Sequence, residues 1–314
     1  MNPLLGLIQL LAVGFFVGWV ALIVYTAYML SHPHRRTYAW AVSRHQPGDP
    51  GELDEPLAFV SRTVRTDRGA FPVWDIEGRD PTGPLLFMTH GWGSGRQGAL
   101  KRISALADDV SRVLVWDLPG HAEAPGSARM GTDEHLIAAQ ILDALDDPDR
   151  DLILFGWSMG AGVSLALCAR IQANRPIAGV VCEAVYIRAI TPARAVLDLR
   201  GMPHRINLPA AMTLLGLKLG VGTRWSGFDR DQIARSVRAP ILLLHGDHDP
   251  VSPPGDAETI RSCAPDAELC LIEGGGHNNL WVDPIFRERS REGVVGFLRR
   301  SARSASRSAA HARP

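Results

Sequence analysis

Short apolar, β-branched runs recur along this chain with helix-length segments between them, and that alternation narrows the possible folds more than any other feature. The runs are residues 57–65 and 71–77, then Leu85 to Thr89, Arg112 to Trp116, Leu152 to Phe155, Ile177 to Cys182, Ile241 to Leu244 and Leu269 to Ile272. Runs that are apolar throughout belong in strands buried on both faces, as in a parallel sheet covered by helices on each side. Residues 98–109 and 132–146 carry apolar side chains at helical spacing, 159–173 is rich in Ala and Leu, and 284–299 closes the series with Ile285, Phe286, Val294, Val295 and Leu298. The expectation is an α/β fold over residues 57–300, with a doubly wound, mostly parallel sheet of about eight strands. A chain of 314 residues, 46% hydrophobic and 21% charged, can bury such a core and is not a disordered polymer. Residues 186–239 break the alternation with a Gly- and Pro-punctuated region that holds an apolar stretch from Leu208 to Leu219. An unstructured loop of that length is uncommon in a compact domain, so a short helical cap over a site is expected there.

Charge is distributed unevenly. The chain carries 33 Lys plus Arg against 33 Asp plus Glu, which argues against a globally basic nucleic-acid-binding protein. Residues 3–30 hold no charged side chain at all. About 20 such residues span a bilayer core as a helix, whereas a signal peptide has a charged first region and an apolar stretch of about 7–15 residues. The longer run predicts a transmembrane anchor at 3–30. His32, His34, Arg35, Arg36 and Arg44 follow it and no Lys or Arg precedes it, which predicts a single-pass protein with its main body on the cytoplasmic side. Residues 31–56, with Pro47, Gly48, Pro50, Gly51 and Pro56, read as a linker or surface arm. Residues 301–314 read as a disordered basic tail, either a solvated terminus or one drawn to anionic lipid. Residues 1–50 carry +2 and residues 299–314 carry +5, so the body between them carries −7.

The chemistry begins after the run Leu152 to Phe155, where Gly156-Trp157-Ser158-Met159-Gly160 leads into a helix-forming stretch. A serine on a sharp strand-to-helix turn adopts strained geometry, and residues two positions either side must be small. About one chain in five of this composition carries the pattern by chance, so the strand before and the helix after it supply the weight. A serine nucleophile needs a base and a carboxylate to orient that base. Ile241 to Leu244 runs into His245-Gly246-Asp247-His248-Asp249, and Leu269 to Ile272 runs into Glu273-Gly274-Gly275-Gly276-His277. Both motifs lie at strand ends, where open α/β sheets place their sites. His277 is the candidate base. Asp249 is the candidate acid, with Asp247 its rival and Glu183 a third carboxylate at a strand end. Leu85 to Thr89 ends in His90-Gly91-Trp92-Gly93, so the backbone N–H groups of Trp92 and Met159 are the natural oxyanion hole.

Taken in order, the His90-Gly91-Trp92-Gly93 loop, the Asp117-Leu118-Pro119-Gly120-His121 turn, the serine elbow, and His245-Gly246-x-x-Asp249 with Gly276-His277 resemble the α/β-hydrolase superfamily. The likeness covers about residues 57–300 and lies with esterases, lipases and serine peptidases that have a short helical cap. Ala122 and Ala124 stand where the family often has Gly and Ser, and Trp157 where it often has His; these positions bear on packing and substrate shape. The resemblance implies Ser158 as nucleophile, His277 as base and Asp249 rather than Asp247 as acid. It implies hydrolysis of a carboxylic ester or thioester through an acyl-enzyme, without cofactor or metal. The anchor and the apolar cap point to a small-molecule or lipid-like acyl substrate. Acyl transfer and peptide cleavage would use the same residues, and a membrane scaffold without turnover is the alternative from another class. His90 and His121 are expected to be structural, Cys168 and Cys182 inert in the core, and Trp92 and Trp157 walls of the cleft. Cys263 and Cys270 are near enough to pair in an oxidising compartment.

Overall fold

A computed structural model describes residues 3–311 of the chain, with side chains to Ser301. Its sheet has eight strands, β1 Phe59–Thr66, β2 Gly69–Glu77, β3 Leu85–Thr89, β4 Arg112–Trp116, β5 Leu152–Trp157, β6 Gly179–Glu183, β7 Ile241–Gly246 and β8 Ala267–Ile272. The spatial order is β1-β2-β4-β3-β5-β6-β7-β8. The hairpin of β1 and β2 joins the sheet antiparallel to β4, and every pairing from β4 to β8 is parallel. This is the α/β-hydrolase fold.

The helices are α1 Pro3–Ser31, α2 Tyr38–Val42, α3 Leu100–Leu106, α4 Glu134–Leu145, α5 Met159–Ile171, α6 Ile190–Leu199, α7 Leu208–Lys218, α8 Arg230–Ala234, α9 Pro254–Cys263 and α10 Pro284–His311. Alternation along each buried strand serves two cores. Leu85 and Phe87 face the side covered by α4, α5 and α9, while Leu86 and Met88 face the side covered by α3 and α10. Burial on both faces explains why these strands read as unbroken apolar runs. The interruption at 186–239 is helical, as α6, α7 and α8.

Two expectations need correction. Residues 31–56 are not a free linker. They contain α2 and a 3₁₀ turn at Pro50–Glu52, and the Arg35 guanidinium donates to the carbonyls of Ala122 and Ala124 at 3.1 and 2.8 Å. Proline and glycine here shape a packed segment. The basic tail expected to be without structure from residue 301 continues α10 as far as His311, in keeping with the helix propensity of its Ala and Arg residues. Residues 312–314 of that tail lie outside the described residues.

Helix α1 is the one described helix long and apolar enough to cross a membrane by length and composition. Its first four turns are largely exposed, but Ala27, Met29 and Leu30 are buried with Tyr186, Ala193, Leu197, Leu208 and Ala211 in a third apolar cluster.

Candidate active site

Ser158 stands between β5 and α5 at φ 54° and ψ −117°, a strained conformation for an L-residue. The neighbouring glycines make the turn possible. A Cβ on Gly156 would meet the Gly160 carbonyl oxygen at 2.1 Å, and one on Gly160 would meet that of Thr89 at 2.0 Å. The Ser158 N–H donates to the Glu183 carbonyl at 2.8 Å, which ties the turn to β6.

The ends of β7 and β8 bring the other two groups together. His277 Nε2 lies 3.0 Å from Ser158 Oγ, and His277 Nδ1 lies 2.7 Å from Asp249 Oδ2. An ionised carboxylate only accepts, so Nδ1 carries the proton and donates to Asp249, leaving Nε2 to accept from the serine hydroxyl. Asp249 is held by the N–H groups of Val251 and Ser252, which donate to Oδ1 at 2.7 and 2.8 Å.

The rival carboxylates are engaged elsewhere. Asp247 accepts from the Gly274 N–H at 2.7 Å and pairs with the exposed His248, bracing the turn. Glu183 is buried beneath the elbow. It accepts from Arg102 Nε and from Trp281 Nε1, each at 2.8 Å, and Arg102 also lies over the Trp157 ring at 4.2 Å. Arg102 and Trp281 were not singled out from sequence; they lie 81 and 98 residues from Glu183. Arg102 stands on the apolar face of a predicted helix, and a cation there signals a buried partner.

The loop after β3 lies against the nucleophile, since a Cβ on Gly91 would stand 3.1 Å from that of Ser158. Trp92 and Met159 border the same cavity as Ser158 and His277. The Met159 N–H is one of the first four of α5, which have no partner within the helix and sit at its positive end. His90 Nδ1 donates to the Gly91 carbonyl and Nε2 accepts from the Leu118 N–H, which fixes the loop from behind. Burial pushes the His90 imidazole down to about 4 and that of His121 to about 3. His245 is also buried and donates from Nε2 to the Ser252 carbonyl at 2.9 Å.

Above Ser158 opens a cavity of about 210 Å³, walled by Leu30, Trp92, Met130, Tyr186 and Val196. Trp157 is among its lining residues, so both tryptophans border the cleft as expected. All four cysteines are free. Burial raises the Cys168 thiol to about 12, which keeps it protonated and inert.

Residues 85–290 match the family described as the alpha/beta hydrolase family. Among curated proteins, the pimeloyl-[acyl-carrier protein] methyl ester esterase of Aromatoleum aromaticum is 28% identical over 239 residues, covering 62% of this chain and 91% of that protein. The protein of the same description from Nitrosospira multiformis is 24% identical, covering 62% and 88%. Among solved structures, an esterase of Pyrococcus furiosus superposes with a TM-score of 0.65 at 18% identity, covering 86% of this chain and 98% of that one. A membrane phospholipase A superposes at 0.58 and 20% identity, covering 96% and 99%.

Proposed function

Since the chain belongs to the alpha/beta hydrolase family, and to its esterase-type enzymes, we propose that it is a membrane-anchored serine hydrolase that cleaves a carboxylic ester or thioester of an apolar acyl group. The observation that carries this reading is the hydrogen-bonded chain from Ser158 Oγ through His277 to Asp249, at the base of an apolar cavity.

Ser158 Oγ attacks the acyl carbonyl while its proton passes to His277 Nε2. Asp249 holds the imidazole by Nδ1 and stabilises the imidazolium. The carbonyl oxygen becomes an oxyanion that accepts from the N–H groups of Trp92 and Met159. As the intermediate collapses, the carbon–oxygen or carbon–sulfur bond to the leaving group breaks and that group departs with the proton from His277. A water then gives a proton to His277 Nε2 and attacks the acyl-enzyme; as this second intermediate collapses, the bond from the acyl carbon to Ser158 Oγ breaks, His277 returns the proton to Ser158 Oγ, and the acid leaves.

In this reading α1 crosses the membrane and residues 57–300 form the catalytic domain, with residues 186–239 as its cap. The test is labelling of the full-length protein in detergent with an active-site fluorophosphonate. The parent should label, Ser158→Ala should not, and His277→Ala should label slower by about 10³-fold or more. Labelling that persists in a folded Ser158→Ala protein would overturn the assignment.

A further inference from the structure

We infer that the carboxy-terminal turn of α1 is a working part of the acyl site, with Leu30 setting acyl-chain length and its carbonyl positioning the oxyanion loop. This rests on the reading of Ser158 as the nucleophile, and goes beyond it by giving the membrane helix a role in the reaction.

The sequence frees the groups that do this. Pro33 has no N–H to offer the carbonyl of Met29 and disfavours helix at His32, so α1 stops at Ser31 with its last carbonyls unpaired within the helix. Leu30 O takes the Trp92 indole instead, accepting from Nε1 at 2.8 Å. Ser31 O accepts from the Ala128 N–H at 2.8 Å. One turn earlier, Asn207 Nδ2 donates to Thr26 Oγ1 at 2.7 Å, and both residues are fully buried. Trp19 Nε1 reaches the Ile206 carbonyl at 2.8 Å. The end of α1 is therefore bolted to the cap on one side and to the oxyanion loop on the other.

The Leu30 side chain is 1% exposed and borders the cavity that Ser158 and His277 open into. A void of about 150 Å³ accepts a ring the size of benzene. At about 210 Å³ this cavity has room for a short acyl group, and Leu30 is one of the apolar side chains that line it. Trp92 lies with its ring under the Arg200 guanidinium at 5.6 Å and its indole N–H held by α1, so the loop that carries its backbone N–H is tied to α1.

Full-length protein in dodecyl maltoside micelles, assayed on p-nitrophenyl esters from acetate to dodecanoate, tests this. Leu30→Trp should lower kcat/KM for octanoate about tenfold while acetate stays within about twofold, and Leu30→Ala should move the preferred chain longer. Because each Leu30 variant is judged by the ratio of its own rates, a fraction of unfolded protein does not affect that outcome, and kcat of Trp92→Phe is taken per fluorophosphonate-labelled site; Leu30→Phe replaces Leu30→Trp if the latter does not fold. Trp92→Phe keeps a ring but loses the indole N–H. It should lower kcat about tenfold on every ester with KM within about twofold, less than the 10²–10³ for losing an oxyanion donor outright. Unchanged chain-length profiles in both Leu30 variants, or an unchanged kcat in Trp92→Phe, would overturn the inference. A Ser158→Ala control separates the two levels: if it retains activity the site assignment fails, and if it is inactive while the profiles are unchanged only the role of α1 fails.

Discussion

At φ 54° Ser158 carries backbone strain of order 1–3 kcal/mol, held in place by the Glu183 carbonyl that accepts from its N–H. The two aspartates two residues apart after β7 divide the labour by geometry. Asp249 faces His277, whereas Asp247 braces the turn through Gly274. Asp249→Asn should leave the fold intact yet lower kcat by about 10⁴, because an amide no longer holds the imidazole in the tautomer that accepts from serine. Asp247→Asn should stay within about tenfold of the parent in the same ester assay. A reversed ranking would move the acid to Asp247. Glu183, buried with Arg102 and Trp281, is a support beneath the elbow rather than a member of the proton path.

Among elements, the β5–α5 turn is the most tightly specified. Its glycines are set by neighbouring backbone, which cannot move aside as a flexible side chain can. Gly160→Ala would drive a methyl group into the Thr89 carbonyl, displacing β3 or the start of α5. The expected outcome is a fall in melting temperature together with loss of fluorophosphonate labelling; a stable, fully labelled Gly160→Ala protein would contradict the packing described. The loop after β3 depends on neutral histidine. Unfolded, an imidazole titrates near 6.5. In the fold, burial holds His90 and His135 at about 4 and His121 at about 3. Above 6.5 both states are neutral and these groups add no pH dependence. Between 6.5 and about 4 the unfolded chain binds protons that the fold refuses, so stability is lost as pH falls through this window. Denaturant melts from pH 8 to pH 4.5 should show it, and His121→Gln should flatten the slope.

For the whole molecule, neutrality conceals an acidic body of −7 between basic ends of +2 and +5. Cations that follow an uncharged helix favour the cytoplasmic face. Protease added to intact cells should therefore leave the domain whole, and should digest it once the membrane is opened; digestion in intact cells would reverse the proposed orientation. In the reading proposed above, in which α1 crosses the membrane, the docking of its end on the cap would put the cavity mouth on the membrane side of the domain.

Local patterns carried much of this in advance. The alternation of apolar runs with helical segments reports burial on both faces in β3 to β7, a property of each strand by itself, and the more exposed β1 and β8 show as β-branched or apolar runs at the two edges, so the order of appearance of the strands is legible. The serine turn and His277 were legible because steric demands at strand ends select particular residues over a few positions. In the sequence Asp249 is set apart from Asp247 only through family resemblance; in the structure Asp249 Oδ2 lies 2.7 Å from His277 Nδ1 while Asp247 accepts from the Gly274 N–H. The clamp of Arg102 and Trp281 on Glu183, the packing of residues 31–56, and the place of Leu30 in the cavity came only with tertiary structure. Each joins residues far apart in the chain, Leu30 and Trp92 being 62 residues apart. Local composition determines which surfaces must be buried, but which distant surface buries them is decided only when the whole chain is packed.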